Sequence, residues 1–265
     1  MLRIYVWGYL AFLAFPILII TLFAFHASPA LTFPFEGVSL RWFADLWADP
    51  NFVSAFKNSV IVATVASILT SILGTMVALA LIRLSPKPRA ALSFISFAPI
   101  ALPGLFIGAS LLVLFDRLGI YRSLVTVILA HTLFCLPFFV EAVRSRVAYF
   151  DLDLELAARD LGATRWQAFR LVTLPLLLPT IIGGAILSFA LSFDEIIITV
   201  FVVGEQSTLP FYILSLLRRT VTPLINAASV LAIIFTLLVL MLAGTVLWWQ
   251  ARREKSARIG EGVVG

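Results

Sequence analysis

Charge is scarce in this sequence. Asp, Glu, Lys and Arg make up 12% of its 265 residues, about half the share found in a soluble domain. Hydrophobic residues make up 62%, and the mean hydropathy is +1.08. A soluble fold of this length has too little interior to hide so much apolar surface. Composition therefore excludes a soluble enzyme, a disordered tail and a disulfide-rich secreted domain. The single cysteine, Cys135, excludes an intramolecular disulfide and a cysteine metal cluster. The two histidines, His26 and His131, lie far apart and show no ligand spacing. There is no G-x-x-x-x-G-K-[ST] loop, no nucleophile elbow and no H-E-x-x-H. No catalytic residue, metal site or bound cofactor is expected in this chain. The net charge of +5 fits loops held near anionic lipid, and nucleic acid is not expected as a partner.

What is present is a series of apolar runs long enough to cross a bilayer, which takes about 20 residues. They fall at about 4–25, 59–82, 91–115, 123–143, 176–203 and 225–249. The expected fold is thus an all-α, polytopic membrane protein with six spans, a single transmembrane domain over residues 1–265. Basic residues set its orientation. Arg3, Arg83, Lys87, Arg89, Arg144, Arg146, Arg159, Arg165, Arg170, Arg252, Arg253, Lys255 and Arg258 fall on one side, 13 in all. Arg41, Lys57, Arg117, Arg122, Arg218 and Arg219, six in all, fall on the other. The positive-inside rule places the richer set, and with it both termini, in the cytoplasm. Pro99, Pro103, Gly104 and Gly108 predict a kink in the third span.

The largest loop of the basic side, residues 144–175, holds two helix signals around a glycine. Residues 151–161 favour a short helix with acidic residues Asp151, Asp153 and Glu155 in its first turn, where the helix dipole favours them. Gly162 suits the residue just past a helix end. Thr164 and Gln167 have the spacing of a capping box for a second helix. Leu154, Ala158 and Leu161 recur at helical spacing, and Arg159, Asp160 and Arg165 add charge near the bend. This pattern suits either a knob that fits a groove in another protein or a loop packed only on its own bundle.

Ala157-Ala158-x3-Gly162, then nine residues, then Val172-x-Leu174-Pro175, resembles the EAA loop of binding-protein-dependent ABC importer permeases. The glutamate position of that pattern holds Leu156 here, and Glu155 sits one residue earlier, about 100° around a helix. Leu191 to Glu195, Gly204, Leu209-Pro210 and residues 221–228 resemble the spermidine/putrescine-type permeases. The resemblance implies a type-1 permease core over about 54–249 that includes the loop. It implies an ATPase-coupling site at Glu155, Ala157, Ala158, Arg159, Asp160, Gly162, Ala163 and Arg165. It further implies half of a solute pathway, two cytoplasmic ATPase subunits that use ATP and Mg, a second permease subunit and an extracytoplasmic binding protein. The location it implies is the bacterial inner membrane, and the cargo a polyamine or similar small polar solute. An ion-coupled secondary transporter is the alternative.

The fifth span carries the polar residues. Gly184, Ser188, Ser192, Glu195 and Thr199 form one small or polar stripe at spacings of 4, 4, 3 and 4, with Asp194 one residue off it. Carboxylates in lipid cost about 2.5–3.5 kcal/mol each on insertion scales, so they turn to protein or water. The stripe reads as a candidate substrate pathway (Ser188, Ser192, Asp194, Glu195, Thr199) or as a helix-packing seam. His131 reads as a packed, hydrogen-bonded group. Trp42, Phe43, Trp47, Phe52 and Phe56 read as contacts for a binding protein or as an interfacial belt.

Overall fold

The computed structural model describes residues 2–147, 153–219 and 221–261; Asp151 of the loop lies outside them. Among the described residues the chain is helical apart from turns and one isolated bridge between His26 and Val38. The helices are α1 (Leu2–Ala24), α2 (Arg41–Ala48), α3 (Pro50–Arg83), α4 (Pro86–Ala101), α5 (Gly104–Arg117) and α6 (Leu124–Val147). They continue as α7 (Asp153–Asp160), α8 (Arg165–Ala168), a π-helical turn (Phe169–Thr173), α9 (Leu174–Phe193), α10 (Thr199–Val202), α11 (Leu209–Leu217) and α12 (Pro223–Glu261).

Five helices are long and apolar enough to span a bilayer, and the pair α4 and α5 brings the number to six. That pair corrects the expected third span. It is broken by a 110° bend and not merely kinked. Leu102 is extended, with φ −101° and ψ 130°, because Pro103 disfavours the α conformation in the residue before it. The fifth span is corrected too. Its helix ends at Phe193, so Asp194 and Glu195 lie beyond the helix and do not interrupt it. α12 runs past the expected end at Trp249 to Glu261; its 39 residues rise about 58 Å at 1.5 Å each, well beyond a hydrocarbon core.

The chain divides into two compact units, Met1–Ser59 with Gln206–Leu237 and Val60–Glu205 with Leu238–Gly265. In the first, the Trp42 indole N–H donates to the His26 carbonyl at 2.7 Å. The Tyr212 hydroxyl donates to Asp49 Oδ2 at 2.6 Å, and the Leu209 N–H to Ser59 Oγ at 2.7 Å. Burial pushes the Asp49 carboxyl up, but hydrogen bonds from Tyr212, Asn51 and the Phe52 backbone outweigh it and hold the group below the usual carboxylate range. Trp42 and Phe52 are buried in this unit while Trp47 is exposed. The aromatic set read from sequence is therefore partly core, and Trp42 and Phe52 offer no surface.

In the second unit α6 and α9 run antiparallel with matched four-residue steps. Phe139, Cys135 and His131 of α6 meet Gly184, Ser188 and Ser192 of α9 in turn. The Phe139 ring is fully buried between Gly74 of α3 and Gly184, and a β-carbon on either glycine would collide with it. Packing, not water expulsion, holds helices together in lipid. Phe139→Ala should therefore cost about 3 kcal/mol, the low end for emptying a packed phenylalanine site. Unfolding in graded SDS measures it.

Candidate functional site

The elbow between α6 and α9 is fixed by local bonds. Gly162 has φ +93°, a conformation other residues adopt at a cost. The Gly162 N–H donates to the Arg159 carbonyl at 2.9 Å and the Ala163 N–H to the Ala158 carbonyl at 3.1 Å, the two bonds of a Schellman motif. The Thr164 hydroxyl accepts from the Gln167 N–H at 3.3 Å, and the Gln167 side chain accepts from the Thr164 N–H at 2.8 Å. Both halves of the predicted capping box are thus made, and α7 and α8 meet at a defined angle.

The face of α7 differs from the sequence reading. Leu154 and Leu161 are exposed as the helical spacing suggests, but Ala158 is half-buried and so is Glu155 three residues earlier. Ala157, Arg159, Asp160, Gly162 and Arg165 are exposed and Ala163 is half-buried. Leu156, Leu161 and Trp166 give the elbow an apolar tip with relative exposures of 51%, 90% and 66%. Large apolar groups exposed at a polar loop suit a contact surface. In the sequence Arg83 is only a charge that sets topology, and Thr173 carries no signal. Both reach Glu155: Arg83 Nη2 lies 2.6 Å from Glu155 Oε2, and the Thr173 hydroxyl donates to the same oxygen at 3.1 Å. No local pattern in the sequence reveals contacts 72 and 18 residues apart.

The polar stripe of the fifth span splits at the helix end. Ser188, Ser192 and Thr199 are buried, Glu195 is half-buried and Asp194 is exposed. Residues 194–198 link α9 to α10, and Glu195 Oε1 accepts the Ile198 N–H at 2.9 Å. His131 bridges the break, with Nδ1 2.8 Å from Ser192 Oγ and Nε2 2.8 Å from Thr199 Oγ1. The Thr199 hydroxyl gives its one proton to the Glu195 carbonyl at 2.9 Å, so it accepts from His131. Proton inventory then places a proton on Nε2. Three of the five candidate pathway residues thus lie where α9 and α10 pack on α6. The Thr126 hydroxyl adds a 2.8 Å bond to the Val202 carbonyl.

Five apolar spans and one broken pair, with a helical elbow that leaves apolar side chains exposed, define a membrane-embedded subunit with a loop suited to contact. Residues 70–255 match the family described as the binding-protein-dependent transport system inner membrane component. The chain belongs to that family: it is a permease subunit of an ABC importer and a multi-pass protein of the inner membrane. It is 34% identical over 256 residues to the putrescine transport system permease protein PotI of Escherichia coli K12, covering 94% of this chain and 89% of that protein. It is 33% identical over 234 residues to the spermidine/putrescine transport system permease protein PotC of Haemophilus influenzae, covering 88% and 91%. A crystal structure of a bacterial ABC transporter involved in import of the acidic polysaccharide alginate superposes with a TM-score of 0.72, at 17% identity and 93% coverage of both chains. An inward-facing structure of the MetNI methionine ABC transporter superposes at 0.66, with 18% identity and 77% and 96% coverage.

Proposed function

We propose that this chain forms half of the translocation pathway for a polyamine or a similar small cationic solute, and that its elbow is the docking point for a separate ATPase. The observation that carries this reading is the elbow tip. Schellman and capping-box bonds fix its bend while Leu156 and Leu161 are exposed and Trp166, packed on one side against the Phe169 ring, leaves its other side open. In this reading two ATPase subunits bind and hydrolyse ATP with Mg, and this chain has no ATPase site of its own. A second permease subunit, identical or related, completes the pathway, and an extracytoplasmic binding protein delivers the solute. The 13 to 6 distribution of basic residues supports cytoplasmic termini and a cytoplasmic elbow. The permease core extends over about 54–249 and includes the loop 144–175. Two relatives carry putrescine or spermidine/putrescine in their names, which supports the solute class.

Within the pathway, Asp194 and Glu195 supply the carboxylates for a cationic solute, at the break between α9 and α10. Ser188, Ser192 and Thr199 hold that break against α6. Glu195→Gln keeps the oxygen that accepts the Ile198 N–H and removes only the charge. It should slow uptake of labelled putrescine about tenfold in proteoliposomes containing the assembled importer, with ATPase assembly intact. Uptake at the wild-type rate removes Glu195 from the pathway.

A further inference from the structure

We propose that Glu155 is a positioning residue. Its carboxylate pins the elbow to the end of α3 and to the π-helical turn, so that displacement of the docked elbow moves both helices. The inference rests on the elbow being the ATPase docking point, and it assigns Glu155 a place behind that surface instead of on it.

Three elements converge on one oxygen. Glu155 Oε2 receives Arg83 Nη2 at 2.6 Å from α3 and the Thr173 hydroxyl at 3.1 Å from the π-helical turn. The Glu155 side chain is 15% exposed and that of Arg83 48%. A fully exposed ion pair holds little, because water screens it and two side chains must be ordered. Here the carboxylate is largely withdrawn from water and the bond is short and charge-assisted, a stronger class of contact. Both charges also sit where helix dipoles favour them, Arg83 in the last turn of α3 and Glu155 in the first turn of α7.

Thr173 shows that the arrangement is built. Threonines within helices commonly return their hydroxyl to the carbonyl four residues back, and Thr21 and Thr132 do so here. Thr173 instead donates across to Glu155. It ends the π-helical turn Phe169–Thr173, and such turns shift the register of the helix downstream and recur at functional places. The Leu156 side chain, next in sequence after Glu155, is exposed. One residue therefore faces out and its neighbour faces the bundle.

The test uses Glu155→Ala, Arg83→Glu and the exchange Glu155→Arg/Arg83→Glu. Trypsin cleavage at the exposed Arg159 and Arg165 of the purified membrane subunit reads the pin without the ATPase. Glu155→Ala should speed cleavage after Arg159 and Arg165 at least fivefold, and the exchange, scored at those two bonds alone because it adds an arginine at position 155, should restore at least half of the protection. In the assembled importer, Glu155→Ala should lower the number of solute molecules moved per ATP hydrolysed about tenfold, and the exchange should recover part of it. An unchanged cleavage rate, or an unchanged transport-to-hydrolysis ratio in an importer that holds its ATPase, overturns the proposal. Loss of the ATPase from Glu155→Ala that the exchange does not restore also overturns it, by making Glu155 a docking contact. If the wild-type subunit holds no ATPase, the docking reading fails, and the cleavage rates still report the pin by themselves.

Discussion

Leu161→Asp should strip the ATPase from the purified membrane subunit while leaving the subunit folded. Leu161 is 90% exposed, so its side chain contributes almost nothing to the fold that holds it. Covering it with a partner would gain the free energy of burying a leucine, about 1.5–3 kcal/mol. Losing that gain weakens association roughly 10- to 150-fold, and an aspartate in the covered site adds the cost of an unpaired charge. Co-purification of the ATPase with tagged membrane subunit reads the loss. SDS unfolding of the variant should match wild type within about 0.5 kcal/mol, as surface substitutions usually do. An ATPase retained at wild-type level by Leu161→Asp would place the docking surface elsewhere.

Gly204→Ala should destabilise the fold as strongly as emptying the Phe139 site. A β-carbon on Gly204 would overlap the Arg122 carbonyl and crowd the Ser123 amide nitrogen at 3.3 Å. Both obstacles are backbone and neither can swing aside. Relief requires the segment after α10 to move off the start of α6, which draws the Val202 carbonyl away from the Thr126 hydroxyl, whose one proton it shares with the Ser123 carbonyl. Overpacking a tight site costs about 1–3 kcal/mol, and the rigid obstacle puts Gly204→Ala at about 3 kcal/mol. Gly119→Ala is the comparison. Gly119 has φ +68° but nothing within 4 Å of an added β-carbon, so only backbone strain of about 1 kcal/mol remains. Graded SDS unfolding ranks the two variants, and equal stability would show that the close approach at Gly204 is readily relaxed.

The features legible in the sequence are those whose cause is local. Apolar length marks the spans, because a bilayer demands it wherever the segment lies. Gly162, Thr164 and Gln167 mark the elbow because each satisfies backbone groups a few residues away. The breaks are harder to read. A hydropathy window averages across Leu102-Pro103 and across Asp194-Glu195, so the third span reads as one helix and the fifth as one interrupted helix. The inward turn of Glu155 meets Arg83, 72 residues before it. Helical spacing can show which residues share a face, but only the packed bundle decides which face turns in. The stripe through Gly184, Ser188 and Ser192 is legible as a stripe. Its facing element is not, because Phe139 and Cys135 look merely apolar in a hydrophobic span and nothing near His131 in sequence names Ser192 and Thr199 as its partners.

The reading of this chain as an importer permease driven through its elbow is tested most directly by uptake in proteoliposomes. These would contain the assembled importer, with labelled putrescine and the binding protein outside and nucleotide inside. An ATP-driven importer predicts accumulation that requires ATP and disappears with Leu161→Asp. Accumulation driven by a proton or sodium gradient without ATP, and unaffected by Leu161→Asp, would contradict it and establish a secondary transporter.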